Sequence, residues 1–226
     1  MPTDRNRIEK AWQGYSKVLP EGVQLLCVSK YYPNDAVMAA YDSGARAFGE
    51  SRVQELEAKA AALPKDIEWH FIGHLQTNKI KKLLPLVTLI HGVDSWHLLS
   101  KIDEEACHEE RVVNVLLEVK ISHDAMKSGF AEQDIRQMLE EGAWRGLTHV
   151  RICGLMGVAS NTDDKECIRG EFRHLHDLWQ NIKHGYFADA QDFTVLSMGM
   201  THDWQIAVEE GSTMIRIGHG IFGDTE

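Results

Sequence analysis

Apolar, strand-like runs alternate with helix-like segments along the whole length of this chain, and few folds satisfy that order. The strand-like runs cover residues 23–30, 47–49, 68–73, 87–93, 112–120, 150–157, 193–198 and 214–217. Helical patterns cover about 33–43, 52–63, 77–84, 95–110, 131–145, 163–183 (with a possible break at Gly170) and 204–210. A further helix, about 3–19, precedes the first strand. Each strand except the last is followed by a helix, which argues for a parallel sheet. Eight such units in 226 residues predict an α/β fold: a single (β/α)8 TIM barrel with an extra N-terminal helix, one domain over 1–226. An open, doubly wound sheet is the competing architecture. No linker, low-complexity tract or internal repeat interrupts the pattern.

Charge and hydropathy narrow the function. The net charge is -10, from 34 acidic against 24 basic residues, which argues against binding nucleic acid by bulk charge. A local basic pocket for a small anion stays open. The N-terminal residues are polar, without a signal-peptide core, and no run approaches the roughly 18 apolar residues of a membrane span. The expectations are a cytoplasmic protein, no membrane, no nucleic acid and a monomer. The cysteines Cys27, Cys107, Cys153 and Cys167 show no C-x-x-C spacing. Cys27 and Cys153 sit inside strand-like runs and read as core residues, so neither a disulfide framework nor a catalytic thiol is expected.

Three positions carry chemistry. Lys30 ends the first strand, where a barrel opens to its site, and a desolvated lysine there can form a Schiff base with an aldehyde. A strand-end lysine with its head in solvent is the plainer reading. The seventh and eighth strands lead into Ser197-Met198-Gly199-Met200-Thr201 and Arg216-Ile217-Gly218-His219-Gly220. Loops at these two places in a barrel often cradle phosphate, with glycine backbone N–H groups and hydroxyls such as Ser197 and Thr201 as donors. Arg216 faces either the barrel mouth or the surrounding helices; alternation alone allows both. Residues 218–223 spell G-x-G-x-x-G, but no βαβ unit follows, so a dinucleotide site is excluded. His70 and His74, like His174 and His176, lack the spacing of a metal site, and no metal is expected.

Taken together, several segments resemble the pyridoxal phosphate homeostasis protein family, relatives of alanine racemase. They are Val28-Ser29-Lys30, Phe48-Gly49-Glu50, Trp69-His70-Phe71-Ile72-Gly73 with Leu75-Gln76 and Asn78-Lys79, Lys127-Ser128-Gly129, Gly154-Leu155-Met156, Leu196-Ser197-Met198-Gly199-Met200 and Arg216-Ile217-Gly218. They run in order through nearly the whole chain. The resemblance implies an alanine-racemase-like barrel binding pyridoxal 5′-phosphate, a form of vitamin B6, as a Schiff base on Lys30. It implies that Arg216 faces the pyridine nitrogen, that Met156 packs near the ring, and that Ser197, Thr201, Gly218 and His219 line the phosphate. Where the family usually reads Gly-Glu-Asn, this chain has Gly49-Glu50-Ser51, so a cofactor contact at Ser51 is shortened or lost. Thr201, His202 and His219 also depart from the usual residues.

An arginine only donates, so it would leave the pyridine nitrogen unprotonated and the ring a poor electron sink. Racemisation also needs acid–base groups on both faces of a substrate. Related racemases bring a tyrosine from a second domain, for which this chain has no room. The expectation is therefore a non-catalytic carrier that holds the cofactor and supplies apo-enzymes, with no catalytic residue assigned. A weak amino-acid racemase, a class I Schiff-base aldolase and a structural partner protein are the alternatives.

Overall fold

The computed structural model describes residues 3–122 and 128–223. Eight parallel strands form a closed barrel in sequence order: β1 (Gln24–Val28), β2 (Ala47–Glu50), β3 (Glu68–Phe71), β4 (Leu89–Val93), β5 (Val113–Val119), β6 (Val150–Gly157), β7 (Val195–Ser197) and β8 (Met214–Ile217). Closure comes from β1 against β8, with Leu26 opposite Arg216 and Cys27 opposite Ile217, and it excludes the open sheet. Around the barrel lie α1 (Arg5–Val18), α2 (Asn34–Asp42), α3 (Val53–Ala62), α4 (Ile80–Leu83), α5 (Trp96–His108), α6 (Glu132–Glu141), α7 (Lys165–Tyr186), α8 (Trp204–Glu209) and α9 (His219–Phe222).

Alternation along each strand divides the apolar residues into two cores. Phe48, Phe71, Ile90, Leu117 and Ile217 face outward and pack with the helices in the larger core. Leu26, Ala47, Leu89, Leu116, Cys153, Met156 and Met214 fill the barrel interior. Parallel strands buried on both faces read as continuous apolar runs, which is why they were legible in the sequence. The pairing of β5 with β6 shifts by one residue between Val115–Ile152 and Leu116–Gly154. At that bulge Gly154 has φ +151°, and a Cβ would lie 1.7 Å from the Val195 carbonyl oxygen, so only glycine fits.

Three features differ from the sequence expectation. α7 runs unbroken through Gly170, because that glycine is on the exposed face while Ile168, Phe172, Leu175, Trp179 and Ile182 bury the other. Tertiary burial outweighs the roughly 1 kcal/mol cost of an internal glycine. The 77–84 segment is a 3-10 turn at Thr77–Lys79 followed by the short α4. A helix does follow the last strand: α9 buries Ile221 and Phe222, with Phe222 against the Tyr32 ring and its carbonyl accepting from Arg7 of α1.

Candidate functional site

The carboxyl ends of the strands open into one cavity of about 500 Å3. Lys30 enters just past β1, Glu118 from β5, Met156 from β6 and Arg216 from β8, with Ile72 beyond β3 forming an apolar wall. The loops after β7 and β8 bring Thr201, His202, Gly218 and His219 to the same space. Its volume lies within the roughly 300–1,000 Å3 of small-molecule sites.

Arg216 faces the barrel interior, which decides between its two sequence readings. Its side chain is buried, with Nη1 donating to Ser197 O and Ser197 Oγ, both at 2.8 Å, and Nη2 donating to Gly157 O at 3.0 Å. These bonds commit three of the five guanidinium N–H donors. Burial lowers the Arg216 pKa to about 10, against the opposing charges of Asp203 and Glu118. The group remains a cation at neutral pH. Across the cavity, burial raises the Glu118 carboxyl, as does Asp94, while Arg216 and His74 oppose the rise.

Lys30 is half-buried rather than enclosed. Its ammonium lies 5.7 Å from the centroid of the Tyr31 ring. Tyr31 has φ +70°, a left-handed backbone that a bulky residue rarely adopts, and its exposed ring sits at the cavity mouth, 5.0 Å from the Arg52 guanidinium carbon. The buried lysine of this region is instead Lys59 of α3. Its Nζ donates to Ser29 O at 2.7 Å and to Glu50 Oε1 at 2.6 Å, and the Ser29 hydroxyl donates to the same oxygen at 2.6 Å. Burial raises the Glu50 carboxyl, and Lys59 and Ser29 oppose the rise. The triad ties the end of β1 to β2 and α3, one residue before Lys30.

The two terminal loops are also tied to each other. Arg216 N donates to Gly199 O at 2.9 Å, and Gly220 N donates to Thr201 Oγ1 at 3.3 Å. Gly199 has φ +94°, and a Cβ there would meet the Ala207 methyl at 2.5 Å, so this turn requires glycine. Asp203 accepts from Met200 N and holds the same loop.

Of the residues expected from the sequence, Lys30, Met156, Thr201, Arg216, Gly218 and His219 share the cavity. Two do not. Ser197 is fully buried beneath Arg216, so its hydroxyl serves the arginine rather than the cavity surface. Ser51 lies outside the lining, with its backbone oxygen packed against Gly73, where a Cβ would come within 2.2 Å. Lys127 of the Lys127-Ser128-Gly129 match lies outside the described residues. Sequence reasoning missed Glu118, Tyr31 and Ile72. Glu118 was within reach: β5 alternates, with Asn114, Leu116 and Glu118 on the inner face and Glu118 nearest the mouth. Tyr31 was not, because its position depends on a positive φ. Cys27 and Cys153 are buried, and burial raises both thiols, Cys153 to about 11, which suits core residues.

A closed α/β barrel with a lysine, an arginine and a glycine turn at the mouth defines a class, and comparison with known proteins agrees with it. Residues 3–226 match the family described as alanine racemase, N-terminal domain. The chain belongs to the pyridoxal phosphate homeostasis proteins within that group. It is 37% identical over 202 residues to the pyridoxal phosphate homeostasis protein of Aquifex aeolicus, covering 89% of this chain and 86% of the relative. It is 35% identical over 218 residues to that of Synechocystis sp., covering 93% and 96%. The structure of PipY from Synechococcus elongatus with PLP bound matches with a TM-score of 0.87 at 36% identity, over 96% of this chain and 100% of PipY. Alanine racemase from E. faecalis matches with a TM-score of 0.75 over 99% of this chain and 59% of the racemase; at 15% identity this shows the fold alone.

Proposed function

We propose that this chain binds pyridoxal 5′-phosphate in the β1–β8 mouth and acts in the cytoplasm as a monomeric carrier that keeps the cofactor supply in balance. The donor set fits the group. Lys30 offers a primary amine to an aldehyde, Arg216 offers a fixed cation, and Thr201, Gly218 and His219 surround the place for a phosphate. Ile72, Met156 and Val158 supply apolar surface for a ring. When bound, the cofactor supplies a reactive aldehyde and an electron-accepting ring.

The observation that carries the carrier reading is the bonding of Arg216. A buried guanidinium anchored on Ser197 and Gly157 can only donate. Placed against a pyridine nitrogen, it withholds the proton that would make the ring a strong electron sink. Lys30 then serves to capture and release rather than to drive turnover. The racemase reading draws on Tyr31, which stands beside Lys30 at the mouth and could supply a second acid–base group.

The test is the visible absorbance of the purified full chain with added pyridoxal 5′-phosphate, beside Lys30→Ala, followed by borohydride reduction and peptide mass mapping. A yellow band in wild type, absent in the variant, with the adduct on Lys30, supports the reading. A colourless wild type that takes up no cofactor overturns it. Exchange of the α-proton of alanine in deuterated water would favour the racemase; a carrier leaves that proton in place.

A further inference from the structure

Below the cavity, polar groups from four strands form a line through the barrel interior. Arg216 Nη1 donates to Ser197 Oγ at 2.8 Å, Ser197 Oγ lies 3.3 Å from His91 Nδ1, and His91 Nε2 lies 3.0 Å from His70 Nδ1. Ser197 and His91 have no exposed surface, and His70 is buried at the inner end of the line. His70 also borders a cavity of about 300 Å3 at the opposite end of the barrel. Polar groups in such a place are costly unless each proton has an acceptor.

Counting protons gives the line a direction. Arginine donates and never accepts. Ser197 Oγ receives from Arg216, and its single proton then goes to His91 Nδ1, the acceptor in reach. His91 therefore carries its own proton on Nε2 and gives it to His70 Nδ1. The opposite direction would leave the buried Ser197 proton without an acceptor among the described residues. Both imidazoles are held neutral: burial lowers His70 to about 4, and burial, with the charges of His70 and Arg216, holds His91 well below its ordinary value.

We propose that His91, kept in its Nε2–H tautomer by His70, is a positioning residue for Arg216. It takes the Ser197 proton and so turns a serine lone pair, rather than the hydroxyl hydrogen, toward the guanidinium. The remaining Arg216 donors are thereby presented to the cavity. The consequence for the cofactor rests on the function proposed above; the tautomers do not.

The test combines nitrogen-15 NMR of the histidines with two variants of the full chain. In wild type without cofactor, His91 and His70 are expected as single Nε2–H tautomers. His91→Leu can neither accept from Ser197 nor donate to His70. It should weaken pyridoxal 5′-phosphate binding by about fivefold to tenfold, equivalent to one buried hydrogen bond, and shift the visible band of the loaded protein. His91→Gln can do both and should restore affinity to within about twofold, with the original band. An Nδ1–H tautomer at His91 overturns the proposal, as does a His91→Leu protein with wild-type affinity and spectrum. If His91→Leu does not fold, Ser197→Ala replaces it: an unchanged band and affinity there overturn the proposal too. A wild type that binds no cofactor defeats the function proposed above, while the tautomers still decide this one.

Discussion

Two buried cations lie near the barrel mouth and are partnered in different ways. Outside the wall, Lys59 meets a full carboxylate on Glu50 and closes a triad with Ser29. Inside the barrel, Arg216 meets two carbonyl oxygens and a hydroxyl, with Asp203 and Glu118 acting at longer range. The first charge is answered within the protein and holds β1, β2 and α3 together. The second is anchored by dipoles, which fix its direction without cancelling it, so it is available to a ligand. Burial alone therefore does not mark a functional cation; what completes its coordination does.

The largest expected effect separates the two clusters by stability. Lys59→Met leaves the Glu50 carboxylate buried and unpaired, and urea denaturation at pH 7 should show a loss of about 3–5 kcal/mol. Part of that loss should return at pH 5, because burial raises Glu50 and removing Lys59 takes away the charge that opposes the rise, so the carboxyl takes up a proton more readily as pH falls. Lys59→Met with Glu50→Gln should recover part of it at both pH values. Arg216→Met removes a buried charge and its desolvation cost together, leaving only acceptors unpaired, for a loss of about 1 kcal/mol. Equal losses in Lys59→Met and Arg216→Met would break the comparison.

A smaller effect sharpens the inner cluster. The ordinary histidine pKa, near 6.5, lies above the folded value of about 4 at His70, so the unfolded chain takes up this proton first. The stability contributed by the neutral ring is complete above pH 6.5 and is lost as pH falls toward 4. Between pH 7.5 and 5 the loss is about 2 kcal/mol. His70→Gln should lack this component, so its urea-derived stability should fall by that much less over the same interval. Parallel pH profiles for wild type and His70→Gln would show that the inner line is not held by neutral imidazole.

The smallest effect concerns the mouth. Tyr31→Gly relieves a left-handed tyrosine but adds backbone entropy to the unfolded chain, so stability should change by less than about 1 kcal/mol. Release of pyridoxal 5′-phosphate should quicken by about twofold to fivefold as the covering ring is lost, the equivalent of a weak cation–π contact. Stopped-flow measurement of cofactor loss checks this, and an unchanged rate would remove Tyr31 from the site.

Much of this molecule follows from periodicity. The β/α alternation implies eight parallel strands and places Lys30 and the two terminal glycine turns at their carboxyl ends, whereas closure through β1 and β8 and the inward facing of Arg216 came from the structure. The strands and the placement of Lys30 and the turns are consequences of local patterns, since strand runs, helix stripes and glycine turns are written in neighbouring residues. Tertiary structure decided which charged groups are enclosed and what they meet. Lys59 and Glu50 are nine residues apart, on a helix and a strand, and nothing local shows that they pair while Lys30 stays half exposed. Ser197 reads as a phosphate donor in its own loop, yet His91, 106 residues away, takes a place beside its hydroxyl. Hydrogen-bond partners are set by which strands become neighbours across a closed barrel, and that information is non-local.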